Sequence, residues 1–175
     1  MYTSGEPEDP PIRVGIPMAD LCAPMFGVIG VLAAIHQAQR TGIGQHIDVS
    51  MLGALTMMVS VEPFDLLERC GIPQRTGQTL PRLAPFGVYP TRDGFIALCA
   101  PTEAMARAFF EAAGHPELAL DEKFSTRNAR VKNFQELNSF IEQFTRSLTS
   151  AEAVARLERA GVVNIGIEGQ MLFSA

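Results

Sequence analysis

Asp20-Leu-Cys-Ala-Pro-Met-Phe-Gly-Val-Ile-Gly-Val-Leu-Ala-Ala-Ile35 is the stretch whose reading decides the fold. One carboxylate opens it, and from Leu21 to Ile35 every residue is apolar or small. A helix of that composition offers no polar face to water and has to be covered on all sides. Leu21–Ile35 falls short of the roughly 20 residues that cross a bilayer. Gly27, Gly30 and the alanines give it small faces, so a helix buried inside a protein is expected, with no membrane partner. The helical pattern runs from about Ala23 to Thr41, with Pro24 in the first turn and Gly42 as the stop. Arg40 near its carboxyl end suits the helix dipole.

Before this helix, Pro11 and Pro17 make Ile12–Ala19 extended. Residues 1–11 are polar, acidic and proline-rich, which reads as a disordered lead-in without the pattern of a signal peptide. After it, Gly42-Ile-Gly-Gln45 reads as a turn. His46-Ile-Asp-Val-Ser50 alternates polar and apolar residues, as in a short strand with one buried face. A methionine-rich helix is expected over Met51–Arg69, kinked at Glu62-Pro63 and closed by Gly71.

Beyond Ile72 the pattern changes. Residues 72–85 carry three prolines and no hydrophobic period, as in a linker. Phe86–Pro90 and Phe95–Ala100 flank Asp93-Gly94 and predict a hairpin. A helix is expected from Thr102 to Gly114. The capping-box spacings Asn133/Glu136 and Thr149/Glu152 open two more, ending near Ser147 and Ala160. The expected organisation is a lead-in (1–11), a large-domain segment (12–71), a linker (72–85), a small α+β domain (86–160) and a divergent tail (161–175).

Hydrophobic residues make up 47% and charged residues 19% of the 175-residue chain, a globular composition. A net charge of −5 argues against nucleic acid or an anionic membrane as partner. Cys22, Cys70 and Cys99 form no CxxC pair, and His36, His46 and His115 are not spaced with them as metal ligands. Buried free thiols in a reducing cytoplasm, and no metal, are expected.

Asp20 admits two readings. A carboxylate at a helix start caps orphan N–H groups. The same position also serves a nucleophile or base, because those N–H groups stabilise anionic charge. Ser50 lacks a GxSxG setting, and Gly42-x-Gly44 follows a helix rather than a strand, so neither a hydrolase nor a dinucleotide site is indicated. Met51, Met57 and Met58 read as helix packing when each is taken alone.

Taken together, Gly15-Ile-Pro-Met-Ala-Asp20-Leu, Gly27-x-x-Gly30-x-Leu-Ala-Ala34-Ile-His and Arg40-Thr-Gly-x-Gly-Gln45-His-Ile-Asp48-Val-Ser50-Met51 resemble the central signature of the family III CoA-transferases. This CaiB/BaiF-type family also holds the α-methylacyl-CoA racemases. Arg75-Thr-Gly77-Gln78 and Ala84-Pro-Phe-Gly-Val88-Tyr-Pro90 resemble its mobile loop and the first hairpin of its small domain.

The resemblance implies an incomplete α/β fold: two long apolar helices and a strand from the large domain, plus the small α+β domain. A Rossmann-like amino half and a carboxyl-terminal return to the large domain belong to the longer relatives.

It also implies that Asp20 attacks an acyl-CoA thioester, passes through a mixed anhydride and an aspartyl-CoA thioester, and hands CoA to an acceptor carboxylate. Met51 would line the CoA tail, and Gly77 would shield the anhydride from water. CoA and acyl-CoA are substrates, with no permanently bound cofactor. Relatives are interlocked dimers, so a homodimer or a complementary subunit is expected. Two alternatives stay open: a racemase, whose aspartate works with a histidine upstream of it, and a non-catalytic fragment. Ile43 departs from the family pattern where a basic residue is common, and Gly53 where an aspartate is common.

Overall fold

A computed structural model describes residues 3–69 and 71–162. Cys70 and most of the tail from residue 161 therefore lie outside the described residues. The chain divides into two compact units, one formed by residues up to 4 and 8–75, the other by 5–7 and 76 onward.

The first unit is built on α1 (Met18–Thr41). This helix starts five residues earlier than its periodicity predicts. Pro17 is its N-cap, so Met18 and Ala19, expected to be extended, form the first turn. Pro24 consequently lies in the second turn, not the first. Gly42 ends α1 at φ 74°, donating its N–H to the Ala38 carbonyl at 2.7 Å.

Residues 43–50 then run back along the helix, with Ile47 and Val49 half-buried and their neighbours exposed. The Cγ2 atom of Ile47 lies 3.0 Å from where a Cβ on Gly30 would stand, so a larger residue there would push the Ile47 side chain aside by a few tenths of an ångström. The alternation at His46–Ser50 is the one expected of a strand. No ladder forms there among the described residues, because the first unit offers no strand to pair with.

The expected second helix is two helices, α2 (Met51–Val59) and α3 (Phe64–Arg69), with Pro63 just before the second. Proline at that position costs a ladder bond, and the helix breaks rather than bends. The Ser50 hydroxyl caps α2 by accepting from the Gly53 N–H at 3.0 Å.

By length and composition α1 is a helix that could cross a membrane, which the shorter apolar count did not predict. Cys22 and Ala23 are its buried residues, while Leu21, Met25, Val28, Ile29, Val31, Leu32 and Ile35 are exposed within this chain.

The second unit holds the packed core. β1 (Phe86–Pro90) and β2 (Phe95–Cys99) form the expected antiparallel hairpin, with Val88 opposite Ala97. Their inward residues Tyr89, Ile96 and Leu98 pack with three helices: α4 (Glu103–Ala113), α6 (Phe134–Arg146) and α7 (Ser150–Arg159). α5 (Arg127–Lys132) and two 3₁₀ turns, Pro81–Leu83 and Pro116–Leu120, complete the unit.

Phe109 at the centre meets Phe144 edge-on at 5.8 Å. Tyr89 donates its hydroxyl to Asn138 Oδ1 at 2.8 Å, and burial raises its phenol pKa. Thr102 and Gly114 bound α4, and Thr149 with Glu152 forms a full capping box. The box expected at Asn133 does not form. Glu136 instead holds Lys123 Nζ at 2.8 Å, and the Asn133 amide turns back to the Ala129 carbonyl.

Candidate active site

Asp20 is the third residue of α1, inside the helix rather than at its cap. Pro17 makes no side-chain cap bond, and among the described residues no donor reaches the Asp20 carboxylate. The capping alternative is therefore not what this backbone adopts. The carboxylate is exposed, with the positive end of the helix dipole beside it.

Four residues on, Pro24 has no N–H to return to the Asp20 carbonyl. The turn that carries the acid thus lacks one helical bond, although α1 runs through it without a break. An open cleft of about 330 Å³ lies here, lined by Asp20, Ala23, Pro24, Gly27, Val49 and Met51. Small residues on one wall and two apolar side chains on the other leave the carboxylate as the cleft's one ionisable group.

Met51 is the first residue of α2, brought to this wall by the capped turn at Ser50. Asp20 and Met51, the two first-unit residues singled out from the sequence, thus share one cleft. Gly77 belongs to the second unit. Its φ of +60° is one a side chain would resist, its N–H donates to the Gly5 carbonyl at 3.1 Å, and the Glu6 carboxylate fills the place of a Cβ. The amide of Gly77 is therefore already taken. Among the described residues no cluster of three or more acidic, histidine or cysteine side chains stands ready for a metal.

The sequence model described as CoA-transferase family III matches residues 1–168. The chain belongs to this family. A succinyl-CoA--D-citramalate CoA-transferase of Chloroflexus aurantiacus is 36% identical over 162 residues, 91% of this chain and 40% of the relative. An acetyl-CoA:oxalate CoA-transferase of Acetobacter aceti is 31% identical over 163 residues, 93% of this chain and 42% of the relative. The crystal structure of a CaiB/BaiF family protein from Brucella suis superposes with a TM-score of 0.69 at 29% identity, covering 94% of this chain and 43% of that one. The chain thus spans about 40% of the length of the curated family III relatives it matches. Its mixed α/β fold, incomplete relative to theirs, follows the same segment of the family architecture.

Sequence reasoning missed Arg130. It is 1% exposed and donates Nε to the Ala84 carbonyl at 3.0 Å, Nη1 to Phe124 at 3.1 Å and Nη2 to Pro101 at 3.3 Å. Arg127 reaches the Arg82 carbonyl with Nε at 3.3 Å and Nη2 at 3.2 Å. Their helix is a short polar one whose N-cap, Thr126, lacks the glutamate that marks a capping box. The available signal was the Ser-Thr pair before Arg127, and it is a weak one.

Proposed function

We propose that this chain carries the nucleophile of a CoA-transferase that moves CoA from an acyl-CoA to a carboxylic acid. What supports the reading is an uncapped, exposed carboxylate at a helix start, set in a small-residue cleft with Met51, within a family III sequence.

Asp20 Oδ attacks the thioester carbonyl, the C–S bond breaks, and CoA thiolate leaves from a mixed anhydride. The thiolate then attacks the aspartyl carbonyl, giving an aspartyl-CoA thioester and releasing the first acid. An incoming carboxylate attacks that thioester, and the returning thiolate takes the new acyl group and restores Asp20. Two exchanges of moderate barrier replace one direct transfer. Backbone N–H groups at the start of α1 stabilise the tetrahedral oxyanions. Met51 lines the CoA tail, and Gly77 helps keep water from the anhydride.

The substrate classes implied are short acyl-CoAs and carboxylic acids, since the relatives are named for succinyl-CoA and citramalate and for acetyl-CoA and oxalate. The exposed side of α1 is proposed to be covered by protein rather than lipid, in a homodimer or by a complementary polypeptide, in the cytoplasm. The test is transfer of radiolabelled CoA between succinyl-CoA or acetyl-CoA and a panel of carboxylic acids. Transfer that disappears in Asp20→Ala is expected; transfer equal in wild type and Asp20→Ala overturns the assignment.

A further inference from the structure

A recess of about 20 Å³ lies in the second unit, where the first turns of α4 meet α5. Ala106, Phe110 and Phe124 make its apolar wall, and Glu103, Arg107, Ser125 and Arg130 bring its polar side chains. It shares no residue with the Asp20 cleft.

Arg130 decides what the recess can hold. A guanidinium carries five N–H donors. Three of them go to the carbonyls of Ala84, Phe124 and Pro101, one from each nitrogen. One N–H on Nη1 and one on Nη2 therefore meet no acceptor among the described residues, although Arg130 is only 1% exposed. Orphaned donors on a buried charge are costly, and native structures satisfy them with protein or with ordered water.

Glu103 is the acid of the recess, and it makes no direct ion pair with Arg130. Its Oε1 accepts the Arg127 N–H at 3.3 Å. Its own backbone N–H and that of Arg127, then the charges of Arg130 and Arg127, hold the Glu103 carboxyl below the usual glutamate range. The carboxylate keeps lone pairs to spare. The Ser125 hydroxyl also has no partner among the described residues.

Volume and chemistry point to the same guest. One water molecule needs about 10–15 Å³ and about two to four polar partners, and it can accept and donate at once. A phosphate or carboxylate ion is too large for the recess, and the Glu103 charge repels a halide. We propose that this recess is a binding site for a single water molecule, which accepts from the Arg130 guanidinium and donates to the Glu103 carboxylate, and so joins the start of α4 to α5. The site stands whether or not the chain transfers CoA.

The test is water-selective NOE and ROE spectroscopy on the full chain with its alanine methyl groups labelled, read at the buried Ala106 methyl that lines the recess. A long-lived water gives cross-peaks of opposite sign in the two experiments, and their intensity does not change with pH. Glu103→Gln keeps them, because the amide oxygen still accepts. Glu103→Leu, or Glu103→Met should that variant not fold, loses them. The amide shifts of Phe109 and Ile141 report that each variant keeps its core. Absent peaks at Ala106 in the wild type, or peaks of like sign, overturn the site. So do peaks that grow with pH, which mark relay through exchanging side-chain hydrogens, and peaks that persist in a folded Glu103→Leu. Loss of the wild-type peaks when sodium chloride replaces a chloride-free salt overturns it too, because the guest is then an anion.

Discussion

Asp20 and Arg130 are opposite solutions to placing a charge. Asp20 is exposed, without a donor to its carboxylate among the described residues, and Pro24 has no N–H to return to its carbonyl. Arg130 is sealed in and bonded to three carbonyls. The first arrangement leaves a carboxylate open to an incoming ligand, whereas the second makes its charge structural. Replacing Arg130 with Ala strands two buried acceptors and one half-buried one and should destabilise the second unit by about 3 kcal/mol or more, measured by urea unfolding. Pro24→Ala should act in the other direction. It restores the ladder bond to Asp20 and raises the stability of α1 by up to about 3 kcal/mol. Because that bond closes the turn behind the acid, any CoA transfer should fall in Pro24→Ala while stability rises, a split that thermal melts and turnover assays read separately.

At the scale of elements, local signals were legible and long-range ones were not. Thr102, Gly114 and the Thr149/Glu152 box mark their helix ends because a cap is an interaction between neighbours in the chain. The alternation at His46–Ser50 reports which residues turn inward, and Ile47 and Val49 do so, but a ladder needs a partner strand, and none stands among the described residues of this unit. α1 starts before its apolar period does, because a proline in the second turn removes one ladder bond without ending the helix.

Asp20 and Met51 could be read from a motif because they lie on one contiguous run around a single turn. Arg127 and Arg130 act on residues far away in sequence and look like solvated charges from their neighbours alone. One element contact also carries a pH dependence. Asp93 accepts the Ser150 N–H at 2.7 Å and hydroxyl at 3.0 Å, and the Thr91 hydroxyl also reaches it. The Ser150 backbone bond foremost, then its hydroxyl, holds this carboxyl below the usual aspartate range. The tie between the hairpin turn and α7 is therefore complete above a pH of about 4 and is lost as pH falls through the lowered value. The protection factor of the Ser150 amide, its exchange corrected for the intrinsic slowing in acid, should fall on acidification in the wild type, whereas in Asp93→Asn it should be lower at neutral pH and insensitive to that change.

For the molecule as a whole, the two units differ in what they need. The second closes a core around Phe109, Leu137 and Ile141, each fully buried. The first leaves Val28, Ile29 and Leu32 of α1 at 59%, 63% and 61% exposure. Covering side chains of this size yields about 1.5–3 kcal/mol each, enough together to drive association. The mass of the purified chain by light scattering should rise with concentration, and Val28→Glu with Leu32→Glu should return it to the monomer. A constant monomer mass in the wild type would show that no second copy covers this face.

In the proposed mechanism Asp20 becomes acylated. Intact-mass spectrometry after incubation with succinyl-CoA, acetyl-CoA and related thioesters, followed by hydroxylamine trapping, reads this directly. The expected result is a hydroxamate that maps to Asp20 and is absent from Asp20→Ala. A hydroxamate on another residue, or none at Asp20 with any thioester, would contradict it.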